Sequence, residues 1–530
     1  MPTLPELLAE RTRSEPDLQA VVTERSSITY RELDEASRAL AARLVAGGVN
    51  KADRVALLMP NGIAWATTAF AVMRIGAVLV PLSTLLRPPE LLSHLRTASV
   101  THVLAVSSFR GRHYLADFED AAPGVLPLTQ SSRRHPLVPS LRKVWLLPAD
   151  PEVVDAASGA AGEALPGGMV EDEVIEALEG IVRPGDDLVV LFTSGSRGAP
   201  KGVVHTHGNA LRATSAGLEA RCVRRGERLY IPMPLFWMGG FGGGLLTALV
   251  AGATLITEAT PTPSRTLALL ERERATLFRG WPDQAAKIAA DPAFPTADLS
   301  SLRPGSLPAV LPADQRPAPG ARANLFGMTE SFGPYAADPL DRDMPPGKLG
   351  SCGRPFPGVE VRIAGHGRDG PDGEIWLRGP HLMRGICGHH RSDVFTPDGW
   401  YRTRDLGRLD EDGYLWFDGR LDDMFKVKGA TVYPSEVEAA LREIPGVAQA
   451  FVTNVPADDG RDEVGALVVS ALDPTELAAE AKARLSAFKV PTVWLASPDP
   501  EAVPLTPTAK VDTHELRRRL QAERYSPDPD

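Results

Sequence analysis

Leu33, Ala36, Leu40, Ala41 and Leu44 recur at helical spacing behind Thr29-Tyr30-Arg31-Glu32, and Gly47-Gly48 ends the run. Thr29 and Glu32 stand in the relation of a capping box, so the pattern predicts an amphipathic helix. Next comes the most apolar stretch, Val55 to Met73 between Arg54 and Arg74. It is about as long as a bilayer is thick, but Pro60, Asn61, Gly62 and two threonines interrupt it, and it reads as a buried strand, a turn and a helix. Ala77 to Leu82 then reads as a second strand. Strand, helix and strand in this order predict a parallel sheet with crossover helices.

From Pro148 to Pro184 Ala, Gly, Pro and acids replace the periodic pattern, which predicts a surface connection before the strand Leu188 to Phe192. A Pro-rich interruption runs from Pro304 to Ala321. After Gly419-Arg420 the elements become short: a helix over Ser435 to Ile444, strands over Val447 to Val455 and Ala466 to Val469, and a helix opened by Asp473-Pro474-Thr475-Glu476. The fold class is α/β: a large N-terminal domain (1–419) of several subdomains with mixed sheets and flanking helices, then a small α+β C-terminal domain (420–530).

Composition narrows the function classes. At 530 residues the chain is long enough for three or four folding units. A hydrophobic fraction of 43% with mean hydropathy −0.11 is that of a globular protein. The net charge of −10 argues against nucleic acid as a partner. Three cysteines, Cys222, Cys352 and Cys387, form no CxxC pair and fit a reducing, cytoplasmic compartment. The first residues lack the basic start and apolar run of an export signal, and no transmembrane segment is expected.

Candidate chemistry concentrates in a loop behind the strand Leu188 to Phe192. Thr193, Ser194, Gly195, Ser196, Arg197, Gly198 and Lys201 combine small residues that let the backbone approach an anion with hydroxyls and cations that bind its oxygens. The spacing is not that of a Walker loop, because Gly202 follows Lys201 where a hydroxyl would be needed for magnesium. His205 and His207 lie just beyond, where a structural or helix-start role fits better than a metal, and His389-His390 lack companion ligands.

The loop Thr193 to Gly202 resembles the signature TSGTTGxPKG of the adenylate-forming superfamily, which includes acyl-CoA synthetases, peptide-synthetase adenylation domains and firefly luciferase. Arg197 replaces a small hydroxyl residue. Further segments follow in that superfamily's order. Phe326-Gly327-Met328-Thr329-Glu330 resembles YGxTE. Tyr401-Arg402-Thr403-Arg404-Asp405 resembles YxTGD, with Arg404 for glycine. Gly419-Arg420-Leu421-Asp422-Asp423 resembles the domain junction, and Pro504 to Val511 resembles PxTxxGK, with Ala509 for glycine. The stretch 304–321 is shorter than its counterpart, with Gly305-Ser306-Leu307-Pro308 in place of a Gly-Gly-Ala-Pro turn.

The resemblance implies an ATP-dependent carboxylic acid:CoA ligase that forms an acyl-adenylate and then a thioester. By it, the 193–198 loop and Lys201 hold phosphates, Phe326 stacks on adenine beside Gly327, Thr329 contacts the α-phosphate, and Glu330 holds Mg2+. Asp405 and Arg420 bind the ribose or phosphate. Lys510 carries adenylation, Asp422 is the hinge of a mobile C-terminal domain, and Lys426, Lys428 and Gly429 guide CoA. Phe236, Trp237, Gly239 and Gly240 mark the acyl pocket. Trp237 stands where amino-acid-activating relatives carry aspartate and acyl-CoA synthetases histidine, so a fatty or other hydrophobic acid is expected. The substrates are thus ATP, CoA and a small-molecule acid. The alternatives are an acyl-AMP ligase that loads a carrier protein and a degenerate nucleotide-binding homologue without ligase activity.

Overall fold

The computed structural model describes residues 2–126, 133–148, 150, 163–193, 200–323, 325–365, 373–420, 424–505 and 511–524. The chain forms two compact units. The first comprises Met1–Thr84, Leu95–Leu191 and Gly202–Gly419; the second comprises Leu85–His94, Phe192–Lys201 and Arg420–Asp530. The architecture is mixed α/β throughout.

An eight-stranded sheet carries the strands Gly385–Ile386, Lys201–Thr206, Asp187–Thr193, Val78–Pro81, Arg54–Leu58, His102–Ala105, Lys143–Leu146 and Glu163–Ala164 in that spatial order. Its centre is parallel, as crossover helices require: Arg54–Leu58 pairs in parallel with both Val78–Pro81 and His102–Ala105. The helix Ile63–Arg74 makes one of these crossovers and buries Trp65, Phe70 and Met73. The apolar stretch 55–73 is therefore the predicted strand, turn and helix, and among the described residues no helix is long and apolar enough to cross a membrane. A five-stranded sheet runs Leu277–Phe278, Arg228–Tyr230, Thr254–Ile256, Gln19–Val22 and Ser27–Thr29, and an antiparallel one runs Glu360–Gly365, Gly373–Arg378, Tyr401–Leu409 and Leu415–Arg420.

The predicted helix spans Tyr30–Ala46. Thr29 Oγ1 accepts from the Glu32 amide at 3.2 Å, while Glu32 accepts from the Thr29 amide at 2.8 Å.

The stretch 148–184 departs from the expected bare connection, because Asp172–Gly180 is a helix. Only Ile175 of that helix is buried, and its large apolar residues, Val174, Ile175 and Leu178, span little more than one turn. It is held by charge: Glu179 pairs at 2.6 Å with Arg74, which is 2% exposed and also pairs at 2.6 Å with Asp34. The Pro-rich stretch 304–321 extends the edge of the five-stranded sheet. The Leu307 amide donates to the Phe278 carbonyl at 3.1 Å, the Ser306 hydroxyl accepts from the Phe278 amide at 3.1 Å, and Val310 and Leu311 are buried.

In the second unit, strands Val447–Pro456 and Asp462–Ser470 pair antiparallel, and Val493–Ser497 joins the latter in parallel. Helix Pro434–Arg442 buries Val437 and Leu441 against Ala450, Val452, Val464 and Ala466. Lys489, nearly inaccessible, binds Glu436 at 2.6 Å and Glu90 at 3.0 Å, and so ties the segment Leu85–His94 into this unit. Asp473 caps helix Pro474–Arg484 by accepting from the Thr475 and Glu476 amides.

Candidate active site

In the first unit the candidate residues gather around a short turn, Thr329–Ser331, that follows the strand Phe326–Met328. Gly327 lies in that strand against its partner, and a Cβ there would fall 2.2 Å from the Gly333 carbonyl oxygen, so glycine is required by close backbone approach. The Phe326 ring is half-buried, with its centroid 5.4 Å from Tyr335 and 5.1 Å from Phe417.

Glu330 is buried, and its Oε1 accepts from the Tyr401 hydroxyl at 3.1 Å. Its Oε2 makes no hydrogen bond to the described residues, which leaves a carboxylate oxygen for a hard cation. No cluster of three or more metal-ligating side chains occurs among the described residues, and the open Glu330 oxygen is a ligand of the type that would suit Mg2+.

Beneath the turn, the His205 Nε2–H donates to the Thr329 carbonyl at 2.8 Å, and His205 Nδ1 accepts from the Asn209 amide at 2.7 Å. Asn209 is itself fixed, accepting from the Thr206 amide at 2.6 Å and donating to the His381 carbonyl at 3.2 Å. Burial drives the His205 pKa down to about 3, so the ring is neutral and its tautomer is set by these partners. His207 starts the helix His207–Ala216 and accepts from the Leu4 amide at 3.1 Å. Each of these histidines thus has a backbone partner, and the Asn209–His205–Thr329 chain is a structural feature that sequence reasoning did not isolate.

Tyr401 begins the strand that also carries Asp405, which is buried. Between them Arg404 adopts φ +63°, the left-handed region that glycine occupies without cost, while its amide donates to Glu374 at 3.0 Å beside a bulge in the sheet. Arginine thus stands at a backbone position that favours glycine, next to the buried Asp405.

The acyl candidates sit where Phe236-Trp237 leads into the helical turn Met238–Gly240 and a π-helix, Phe241–Leu246. Trp237 caps that turn with its ring edge-on to Phe236 and Trp281, centroids 5.5 Å and 6.3 Å away. A Cβ on Gly240 would strike the Pro234 carbonyl oxygen at 2.2 Å, and one on Gly239 the Met233 sulfur at 2.3 Å, so both glycines let the chain fold back tightly. Phe332, the residue after the Thr329–Ser331 turn, meets Phe241 at 6.2 Å, and this contact brings the acyl candidates to the Glu330 turn.

In the second unit Thr193 ends its strand with a buried hydroxyl that has no hydrogen-bond partner among the described residues. The Lys201 ammonium lies 6.0 Å from the Tyr433 ring centroid. Lys426 is on the hairpin Phe425–Val427/Ala430–Val432, whose two-residue turn is Lys428-Gly429, and both lysines are exposed. Both turn residues have positive φ, +49° and +82°, as a type I′ turn demands. Ser194, Gly195, Ser196, Arg197, Gly198, Asp422 and Lys510 lie outside the described residues, as does the side chain of Arg420.

Comparison with known proteins identifies the family and the fold. The pattern of the family described as AMP-binding enzyme matches residues 8–387. The 3-[(3aS,4S,7aS)-7a-methyl-1,5-dioxo-octahydro-1H-inden-4-yl]propanoyl:CoA ligase of Mycobacterium tuberculosis is 33% identical over 92% of this chain and 94% of its own length. A feruloyl-CoA synthase of an Amycolatopsis species is 33% identical over 96% of this chain and 97% of its own. Among solved structures, the amide bond synthetase McbA of Marinactinospora thermotolerans superposes with a TM-score of 0.74 at 29% identity, covering 97% of this chain and 99% of its own. The o-succinylbenzoate CoA synthetase of Bacillus subtilis shares the fold with a TM-score of 0.75 at 23% identity, covering 98% and 99%.

Proposed function

The chain belongs to the AMP-binding enzyme family, and from that premise we propose that it is an ATP-dependent carboxylic acid:CoA ligase that activates a hydrophobic acid through an acyl-adenylate. The observation that carries this reading is the Glu330 turn, where one carboxylate oxygen is pinned by Tyr401 and the other is open. CoA-ligase relatives that match over nearly the whole chain support the thioester product.

A carboxylate resists direct attack by a thiol because its charge repels the nucleophile and oxide is a poor leaving group. In this reading the acid's oxygen attacks the ATP α-phosphorus and pyrophosphate departs. Thr329 hydrogen-bonds the α-phosphate, Phe326 stacks on adenine beside Gly327, and Asp405 and Arg420 bind the ribose side. Thr193, Lys201 and the loop of Ser194, Gly195, Ser196, Arg197 and Gly198 hold the departing phosphates. Mg2+, held by Glu330, supplies charge neutralisation on the phosphates. Lys510 delivers a positive charge to the first step. The C-terminal domain pivots at Asp422 between steps and presents Lys426, Lys428 and Gly429 to the pantetheine of CoA. Phe236, Trp237, Gly239 and Gly240 receive the acid's apolar body.

Incubating the purified protein with ATP, Mg2+ and a panel of carboxylic acids, with either CoA or a pantetheinylated carrier protein, tests the reading. Acid-dependent release of AMP and pyrophosphate with an acyl-CoA product is expected. Product on the carrier alone, or no pyrophosphate with any acid, overturns it.

A further inference from the structure

Behind the apolar wall of Trp237, Trp281 and Phe332 lie two arginines that the reaction above does not use. Arg221 ends the short helix Leu218–Arg221 and is only 6% exposed. Its guanidinium makes no hydrogen bond or ion pair to the described residues, and its Nη1 is buried without a partner. Arg279, partly buried, donates from Nη2 to the Arg221 carbonyl, and its Nε is buried and unpartnered. Burial, and then the charge of Arg279, lowers the Arg221 pKa to about 10, still far above neutrality, so both groups remain cations.

Of this pair only Arg279 feels a carboxylate, Asp341, and none acts on Arg221. Arg303 is matched by Glu227 at 2.5 Å. Asp341, the one carboxylate whose field reaches Arg279, is shared with Arg224 at 3.4 Å and Arg342 at 3.6 Å, and its Oδ1 makes no hydrogen bond. Two adjacent guanidiniums removed from water without matching carboxylates are costly to maintain, and buried charges are normally paired.

Each cation lies within contact distance of a glycine, and Asp341 lies equally close to Gly305. A Cβ on Gly333 would stand 3.4 Å from Arg221 Nη2 and 3.7 Å from the Met238 side chain, and one on Gly305 would stand 3.5 Å from Arg279 Nη2. Met238 follows Trp237, Gly333 follows Phe332, and Trp281 is two residues beyond Arg279. The apolar residues Met238, Phe332 and Trp281 are therefore close neighbours, in space or in sequence, of a pair of cations. Guanidiniums are the groups best shaped to take a carboxylate through two parallel N–H donors.

We propose that Arg221 and Arg279 form a subsite for a second carboxylate, carried by the acid substrate at the end remote from the carboxylate that is activated. The substrate class is then a dicarboxylic acid with an apolar body between its two charged ends. This inference rests on the ligase reading and deepens it.

The test is the rate of acid-dependent pyrophosphate release with matched pairs: octanoate against octanedioate, 3-phenylpropanoate against 3-(4-carboxyphenyl)propanoate, and benzoate against terephthalate. The wild-type protein should favour the dicarboxylate of at least one pair by about 30-fold or more in kcat/KM, the scale of a desolvated charge pair. Arg221→Met should bring that ratio to near one, and Arg221→Lys, which keeps the charge without the fork, should retain part of it. The wild-type ratio stands on its own should a variant fail to fold. Monoacids turned over as well as or better than their dicarboxylate partners in every pair overturn the subsite and leave the ligase intact. Silence with all six acids, and with the wider panel above, overturns the ligase reading and the subsite with it.

Discussion

His205 and Thr329, 124 residues apart in the chain, are joined by a 2.8 Å hydrogen bond from the imidazole Nε2–H to the Thr329 carbonyl. Because Asn209 holds the other ring nitrogen at 2.7 Å, the histidine is a fixed strut rather than a titrating group. The turn that presents Thr329 and Glu330 is thereby anchored to the start of the helix His207–Ala216. We expect His205→Ala to lower the kcat of adenylation by about 10-fold or more, since small displacements of positioning groups are costly. His205→Gln, whose amide can donate to the same carbonyl, should recover part of the loss. Steady-state pyrophosphate release measured alongside thermal unfolding checks this. A kcat that simply tracks the folded fraction would contradict the positioning role.

Acid should destabilise the protein steeply. His205 is held near a pKa of 3, and His94 and His207 near 4, each chiefly by burial, against 6.5 for an exposed histidine. Below about pH 6.5 the unfolded chain takes up protons that the folded chain refuses. Stability fully present above that pH is therefore lost as the pH falls toward the folded values, by about 1.4 kcal/mol per unit for each group. Urea denaturation between pH 7 and pH 5 should show the fall, and His205→Gln should make it shallower if that variant folds. A denaturation midpoint unchanged over this range would contradict the burial of these rings.

Two positions should be stabilised by residues suited to positive φ. Arg404 at φ +63° and Lys428 at φ +49° each hold a conformation that costs a side-chain-bearing residue about 1 kcal/mol. Arg404→Gly and Lys428→Asn are each expected to raise stability by about that amount in chemical denaturation. On the proposed role of Lys428 in guiding CoA, Lys428→Asn should also slow thioester formation. A variant with unchanged CoA kinetics would remove Lys428 from the acceptor side.

The parallel sheet, the capped helix Tyr30–Ala46 and the strand and helix order after residue 420 were legible because each rests on local periodicity and cap chemistry. The helix Asp172–Gly180 was not, since it is held by Glu179 reaching Arg74, 105 residues away, rather than by its own hydrophobic face. The motif residues Thr329, Glu330 and Asp405 could be picked out because their segments resemble the superfamily's motifs. Nothing local marks Tyr401 as the partner of Glu330 or Arg221 as an unpaired buried cation, because both relationships depend on segments distant in sequence. A His-Thr-His-Gly-Asn run does carry a faint signal, a Thr206–Asn209 capping pair directly after His205, which fixes Asn209 one helical turn from that imidazole.

Trp237 should govern which acid is accepted. Its ring stands between Phe236 and Trp281, so Trp237→Ala opens apolar volume without touching the Glu330 turn. The kcat/KM ratios across the acid panel are expected to shift by about 10-fold or more toward bulkier acids, the scale of one to three kcal/mol for apolar volume in a pocket, while the KM for ATP changes less. An unaltered acid profile would place Trp237 in the core alone.

The central claim, that a carboxylate oxygen becomes bonded to the α-phosphorus before the thiol arrives, is tested most directly by isotope transfer. With an acid labelled by 18O in both carboxylate oxygens, ATP, Mg2+ and CoA, mass spectrometry should find one 18O in the AMP and one in the acyl-CoA carbonyl, because the thiol breaks the bond between carbon and the bridging oxygen. Lys510→Ala should suppress the appearance of labelled AMP while sparing thioester formation from supplied acyl-AMP. AMP free of label, or label appearing in inorganic phosphate alongside ADP, would contradict the account.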